Sequence, residues 1–431
     1  MRYHPTEMCL LGFLRSSGPT IATGSLIVLF AVASLVISAD EASALPRMSA
    51  TSGAPCTTCH YNADGGGMRS EIGWGTQWLT GAVDHDTTGL GFLDNRSTNK
   101  VLDWMAVGGD ARLQVTRLGE PTIDVGDDGE PFAEAPSMAV LPMQFQPYLA
   151  LLPHRTLTLQ GSADLVSLLY DEGGDGICAQ FYPGQTCLQG HATYSPDPKL
   201  PKMRAGFFRP SMGIRHDDHT MLIDADASRR RPTVIPPNYA ELGAEVSYQP
   251  RHWIRSEVGA FYPNQLARAV GDAELTDGSL PLAVLARLTY FPRFDFGPDR
   301  SFYGWIGASV YGDVDQRFRL DQGFMGLGWL DRAALMLEVA HMEFGTDPDR
   351  RAFNTAGIFT YQFWEWLVAE ARVERAATRD YTDDETHVRH AAVAGVHFYP
   401  VPFVKIRPEF RYGRTDAWHM GQYAVQLHLF Y

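Results

Sequence analysis

Positive charge is scarce in this sequence: 36 Lys and Arg stand against 50 Asp and Glu among 431 residues, for a formal net charge of −14. A chain that tracks phosphates needs a basic surface, so nucleic acid is excluded as a partner. The low hydrophobicity of a disordered chain is missing too, because 45% of the residues are hydrophobic and 12% aromatic. Cysteine is rare, with five in the whole chain. Mean hydropathy is only −0.18, and the apolar run Ser25 to Ser38 is too short to span a bilayer comfortably. The 41 Gly and 27 Pro are scattered rather than gathered in one linker, so the organisation has to be read from periodicity.

The apolar run is followed by Ala42-Ser43-Ala44, a small-x-small cleavage signature. Residues 1–44 therefore read as a secretory signal peptide, with the mature chain starting near Leu45; an uncleaved anchor is the alternative. The stretch ahead of the run carries only Arg2 and Arg15 as cations, so the true start is Met8 or the leader is atypical. Export implies an oxidising compartment, in which Cys178 and Cys187 are expected to close a short loop as a disulfide.

Cys56-Thr57-Thr58-Cys59-His60 carries the chemistry. Two thiols spaced by two residues can each add to one vinyl group of a haem, and the imidazole that follows is placed to bind the iron from one side. A zinc site calls for a second ligand pair and a redox dithiol for a βαβ surround, and neither pattern is present. The expectation is one covalent haem c, anchored by Cys56 and Cys59, with His60 as axial ligand. Trp74 and Trp78, four residues apart on a short predicted helix over Ile72 to Leu79, are placed to shield a haem edge or simply to pack. Residues 45–107 are few for a free-standing haem domain, so they should lean on the rest of the chain.

From Gly108 onward, runs of about ten to thirteen residues alternate with period two, as expected of a transmembrane β-barrel. Lys405, Arg407, Glu409 and Arg411 share one face of a strand whose other face holds Val404, Ile406, Phe410 and Tyr412. Glu370, Arg372 and Glu374 likewise oppose Leu367, Ala369, Ala371 and Val373. A soluble sandwich produces the same pattern. Three features favour the barrel: aromatics flank the tight turns at Pro250-Arg251, Asp331-Arg332, Trp364-Glu365 and Pro400-Val401; alternate connections such as Pro263 to Leu280 and Ala376 to Thr386 are longer and polar; and Met420 to Tyr431 is an alternating strand ending in an aromatic. Candidate strands start near 108, 138, 154, 200, 239, 253, 281, 302, 317, 333, 352, 366, 387, 403 and 420, with a weak one within Ile214 to Arg230. The fold class is thus all-β, an antiparallel barrel of about sixteen strands over 108–431 with a short N-terminal haem segment.

A signal peptide, Pro46, Gly53, a single CxxCH and a barrel ending in an aromatic together resemble the fused outer-membrane monohaem cytochrome-porins of iron oxidisers. The resemblance implies a haem in or at the mouth of a barrel in a Gram-negative outer membrane, passing electrons across it, with an extracellular metal ion such as ferrous iron as donor and a periplasmic carrier such as a soluble cytochrome as partner. Arg47-Met48-Ser49-Ala50 departs from the aromatic-Ala-Arg associated with iron-oxidising members. The alternative is a porin or scaffold barrel whose haem serves only a periplasmic partner. Candidates for the opposite iron ligand are His85, His191, His216, His219, His341, Met68 and Met105, and Asp217-Asp218-His219-Thr220 is the densest polar cluster, a loop metal site at most. The acidic loop Glu120 to Glu134 would concentrate cations. For conduction across the membrane, residues 45–107 must fold into the lumen, where Lys405, Arg407, Glu409, Arg411 and Glu370 are expected to hold them.

Overall fold

The computed structural model describes residues 49–50, 59–60, 67–78, 81–83, 99–119, 122–123, 138–166, 186–197, 199–216, 218, 220–225, 227, 235, 238–266, 282–295, 301–314, 318–329, 332–344, 350–380, 385–416 and 418–431. Among them, one closed antiparallel barrel has 16 strands. They are β1 (Met105–Leu118), β2 (Ala139–His154), β3 (Leu157–Ala163), β4 (Leu188–Tyr194), β5 (Lys202–Phe208), β6 (Glu241–Arg251), β7 (Ile254–Tyr262) and β8 (Ala283–Tyr290), followed by β9 (Ser301–Asp313), β10 (Phe318–Trp329), β11 (Ala333–Phe344), β12 (Arg350–Trp364), β13 (Leu367–Asp380), β14 (Glu385–Phe398), β15 (Val404–Thr415) and β16 (Trp418–Phe430). Each pairs with the next, and β16 pairs with β1 from Gln422 opposite Leu118 to Phe430 opposite Asp110, which closes the ring. Short pieces at Lys100–Leu102, Thr122–Ile123 and Arg293–Asp295 extend the sheet edges of β1, β16 and β9.

The side-chain period of two decides which way each residue faces. On β15, Lys405, Arg407 and Glu409 are buried inside while Pro408, Phe410 and Tyr412 are exposed outside. On β16, Tyr423, Val425, Leu427 and Leu429 form an exposed apolar row. The exterior continues with Leu335, Leu337, Val339, Phe353, Phe359 and Val373. A water-soluble protein does not expose a continuous apolar belt of this kind, and the belt is what a bilayer's hydrocarbon covers. β10 has 12 residues; at about 3.3 Å each it is about 40 Å long and, tilted by about 45°, crosses the roughly 30 Å core. Aromatics ring the end that carries the tight turns: Trp329 stacks on Phe302 with centroids 6.0 Å apart, and Trp364 on Trp366 at 5.0 Å. Short turns, an aromatic girdle and both barrel termini mark this as the periplasmic end of an outer-membrane barrel.

Two sequence expectations are corrected. Ile214 to Arg230 supplies no strand; its described residues run inside the barrel with a single 3-10 turn at Leu222–Asp224. The sixteenth strand is Leu188–Tyr194, a seven-residue segment interrupted by Gly190, too short to announce itself by alternation. The long connections also gather on one half of the barrel. Between β13 and β14 only residues 381–384 intervene, because most of the expected loop Ala376 to Thr386 is strand.

One side of the lumen is filled by apolar side chains. Phe208, Phe261, Tyr311, Phe318, Met336, Met342 and Ile358 point inward from the wall and form one buried core with Met212, Ile214, Met221 and Ile223 of the connection between β5 and β6. That connection, the strap over residues 209–240, buries its apolar side chains against an apolar half of the lumen, and its alternation reads as a strand for that reason.

Candidate functional site

The described part of the strap from Ser211 to Ala227 is anchored by lumen-facing side chains. Ser211 donates to Glu245 through its backbone N–H at 3.0 Å and its hydroxyl at 2.8 Å. Gly213 N–H donates to Ser309 Oγ at 3.0 Å, and Ile214 N–H to Glu338 Oε1 at 2.9 Å. Gly213 has φ +53°, and a Cβ there would stand 2.3 Å from Glu338 Oε1, so both conformation and space require glycine. Further along, Asn354 Nδ2 donates to the carbonyls of Ile223 at 3.0 Å and Ala225 at 2.8 Å, and Ala227 N–H donates to Thr378 Oγ1 at 2.9 Å. Between these anchors Asp218 accepts from Arg372 at 2.9 Å, Arg407 at 3.0 Å and Arg411 at 3.3 Å. Burial pushes its carboxyl up, yet the three guanidiniums outweigh this and hold it well below the usual carboxylate range.

These contacts revise the expected roles. Among the described residues Arg407 and Arg411 hold the strap; Arg407 also donates to Glu370 at 2.7 Å, and Lys405 and Glu409 face the same polar half of the lumen. Asp218 Oδ2 is engaged by arginine and its Oδ1 accepts from the backbone N–H and hydroxyl of Thr220, and Asp217 and His219 lie outside the described residues. No group of three or more His, Cys, Asp or Glu among the described residues is placed to hold a metal ion. The acidic loop Glu120 to Glu134 is also outside them.

The N-terminal segment meets the barrel at the periplasmic end. Ser70 N–H donates to the Cys59 carbonyl at 2.9 Å, and His60 bridges Arg69 as a β pair. Ser70 then caps helix α1 (Glu71–Trp78) by accepting the Gly73 N–H at 3.2 Å. A Cβ on Gly73 would stand 2.1 Å from the Cys59 carbonyl oxygen, so glycine lets the helix lie directly on the motif. Trp74 is 1% exposed and packs on Tyr399, Phe403 and Phe430, with Tyr431 edge-on at 6.0 Å. Met68 is buried against Ala106, Tyr148 and Ala150, whose side chains line the lumen. Ala82 and Val83 donate to the carbonyls of Tyr399 and Pro400 at 2.9 and 3.1 Å. Trp74 thus packs on the barrel's turn, and the Trp78 side chain lies outside the described residues.

Within this segment His60 is 3% exposed, and neither ring nitrogen makes a hydrogen bond of ordinary geometry among the described residues. Burial first, then the nearby charges of Arg69 and Arg215, pushes its pKa down to about 3, so the imidazole is neutral at physiological pH. Cys59 is a free, half-buried thiol. Cys56 and Cys178 lie outside the described residues, while Cys187 is buried and disulfide-bonded. The candidates for a second iron ligand scatter. His341 lies on the outer face of β11, beside Asp321 and Glu343, and cannot serve. His216 is bound to Glu338 at 2.6 Å. Met68 is packed in the contact just described, Met105 opens β1 at the periplasmic end, and His85 and His219 are outside the described residues. His191, on β4, faces the lumen with its ring 5.5 Å from that of Phe208. The strap gave one signal in the sequence, its polar cluster, but nothing there names the wall residues that receive it.

No protein-family model matches the chain, and no curated relative does. Among solved structures it is similar to the outer-membrane channel DcaP of Acinetobacter baumannii (TM-score 0.47, 11% identity, covering 76% of this chain and 97% of that one). It is also similar to OprB of Pseudomonas putida (TM-score 0.47, 11% identity, 82% and 98%) and to an anion-selective porin from Comamonas acidovorans (TM-score 0.46, 8% identity, 76% and 99%).

Proposed function

We propose that the chain is an electron-transfer protein of the outer membrane, in which one haem c is held covalently by Cys56 and Cys59 with His60 as its axial iron ligand, inside the periplasmic mouth of a strapped barrel. The observation that carries this reading is the His60 imidazole, buried, neutral and, among the described residues, without a hydrogen bond of ordinary geometry on either nitrogen, the backbone of Gly67 being its nearest polar neighbour. Such a group costs about 1–3 kcal/mol when left unpartnered. A bond to iron through one nitrogen offsets that cost, and a neutral imidazole is the form that ligates.

The haem supplies a one-electron ferric/ferrous couple. The chain supplies everything around it. Gly73 and Ser70 lock helix α1 against Cys59, which fixes where the motif points. Trp74 and Met68 anchor the stretch that follows the motif, residues 67–78, on the barrel's turn and inner wall. The strap and its core fill the apolar side of the lumen and narrow the path that a solute would take.

The position of Trp74 and Met68 at the turn end favours a periplasmic carrier, such as a soluble cytochrome, as the immediate redox partner. An extracellular ferrous iron donor then requires conduction through the strapped lumen. Reconstitution in liposomes enclosing a reducible dye tests this, with an impermeant reductant added outside. Dye reduction that disappears in His60→Ala supports conduction across the membrane. If the haem-loaded protein exchanges electrons only with a soluble cytochrome on the turn side, the reading narrows to periplasmic exchange. A protein without covalent haem refutes it.

A further inference from the structure

On the outside of the barrel two neighbouring registers cross the strands β11 to β15. One holds Leu335, Phe359, Ala371, Ala394 and Phe410, and the other Leu337, Gly357, Val373, Ala392 and Tyr412. Large side chains stand at both ends, with Gly357, Ala371, Ala392 and Ala394 among those between, which leaves a groove of about 460 Å³ in the lipid-facing wall. At about 4.8 Å per strand spacing it is about 19 Å across. The next register, towards the end opposite the tight turns, reads Arg375, His390, Arg414 and His419 on β13 to β16. The period of two turns all four outward, as it does Val373, Ala392, Tyr412 and Tyr423. No Asp or Glu stands in this register from β10 to β16, where its other members are Gly323, Val339 and Thr355. Two registers further out Arg351 lies opposite Arg379, with Glu343 beside Arg351 at 3.3 Å. The Tyr412 ring, at the groove's end, is 6.0 Å from the His419 ring, so groove and row are continuous. From Val404 to Arg414, at about 3.3 Å per residue and a tilt of about 45°, β15 climbs about 23 Å, close to the roughly 25 Å height of an apolar band. The row therefore stands at the level of the outer head groups.

We infer that this face holds the phosphorylated glycolipid of the outer leaflet, lipid A, with its phosphates on the row from Arg375 to His419 and an acyl chain in the groove beneath. Like charges on neighbouring strands destabilise a sheet, and cations on a lipid-facing wall are costly unless an anion or water meets them. A phosphate relieves both. Arg414 and His419 have further contacts within the chain, and an arginine fork, with five N–H donors, still has donors to offer a phosphate. The row covers about 14 Å over three strand spacings, more than one phosphate reaches, so a head group with two phosphates fits it better than that of a glycerophospholipid. A second copy packed isologously on this face would set arginine against arginine.

The full chain, purified in detergent and titrated with diphosphoryl lipid A, tests this, with native mass spectrometry reading the bound lipid. The wild-type barrel should retain one lipid A. Arg375→Gln/Arg414→Gln should weaken retention at least tenfold. Ala371→Phe/Ala394→Phe, which fills the groove and adds only apolar surface to the lipid face, should weaken it as well. Arg319→Gln, on the same outer face but beyond the row and paired with Asp321 at 2.8 Å, should leave it unchanged. Heat-modifiable mobility checks that each variant is folded. Equal retention by the wild type and the double arginine variant overturns the proposal. Phosphatidylglycerol held as tightly as lipid A, with the same dependence on the arginines, overturns the choice of lipid A. If the groove variant instead dissociates a lipid-free oligomer, the groove is an interface between copies and the lipid assignment falls.

Discussion

Asp218 accepts a hydrogen bond from Arg372, 154 residues further along the chain, at 2.9 Å, and through it the strap is tied to the far wall of the barrel. Arg407 and Arg411 converge on the same carboxylate. Asp218→Asn removes the one negative charge that the three cations share, and breaking a buried pair from one side typically costs about 3–5 kcal/mol. The loss falls on strap docking, since the sheet's own hydrogen bonds are untouched. Planar-bilayer recording should therefore show a small wild-type conductance that rises several-fold in Asp218→Asn, with heat-modifiable mobility unchanged. Equal conductance in the two proteins contradicts a strap that narrows the lumen.

The pH dependence has a definite sign. Burial raises the Asp218 carboxyl and the arginines lower it further, so its folded pKa lies below the unfolded value of about 3.9. Its contribution is therefore complete above the unfolded value and is lost as pH falls through the folded one. Conductance should stay constant from pH 8 down to about 4 and rise only in stronger acid. A transition near pH 6 would point to a histidine in place of Asp218.

Trp74 couples the N-terminal segment to the barrel. Its indole fills the space between Phe403, at 5.2 Å, and Tyr431. Trp74→Ala should cost about 3–5 kcal/mol at this contact, typical of a large buried aromatic. Limited proteolysis should cut residues 45–107 faster in the variant while the barrel stays resistant. Unaltered cleavage would show that the segment does not depend on this anchor.

The barrel was legible where one face met lipid and the other met polar side chains, as on β13, β15 and β16. The strap was not. Ile214, Met221, Leu222 and Ile223 bury themselves against apolar lumen residues, and a pattern that encodes burial says nothing of whether the burying surface is lipid, a soluble core or the inside of a barrel. Leu188–Tyr194 failed the opposite test, because seven residues, with Gly190 among them, hold too few alternations to count. CxxCH is legible as a motif from its spacing alone, and the haem chemistry it implies is the proposal made above. The residues near it could not be read so, because Tyr148 and Phe430 of the wall and Arg215 of the strap arrive from distant parts of the chain.

The outward and inward faces of β16 differ by one residue in sequence and should differ in their tolerance of charge. Leu427 lies opposite Leu113 on β1 and Ile406 on β15, exposed on the apolar belt, whereas its neighbour Gln426 is buried on the lumen side between Gln114 and Arg407. Leu427→Arg places a guanidinium in hydrocarbon, which near the midplane costs about 2–4 kcal/mol in such barrels. Gln426→Leu removes a polar lumen group and spares the lipid face, so its cost should be smaller. Urea titration of folding into vesicles, read by tryptophan fluorescence and heat-modifiable mobility, should show Leu427→Arg as the more destabilised variant by at least 1 kcal/mol, about a fivefold change in the folding equilibrium. Equal destabilisation, or the reverse order, would mean that the exposed row of β16 is covered by something other than lipid.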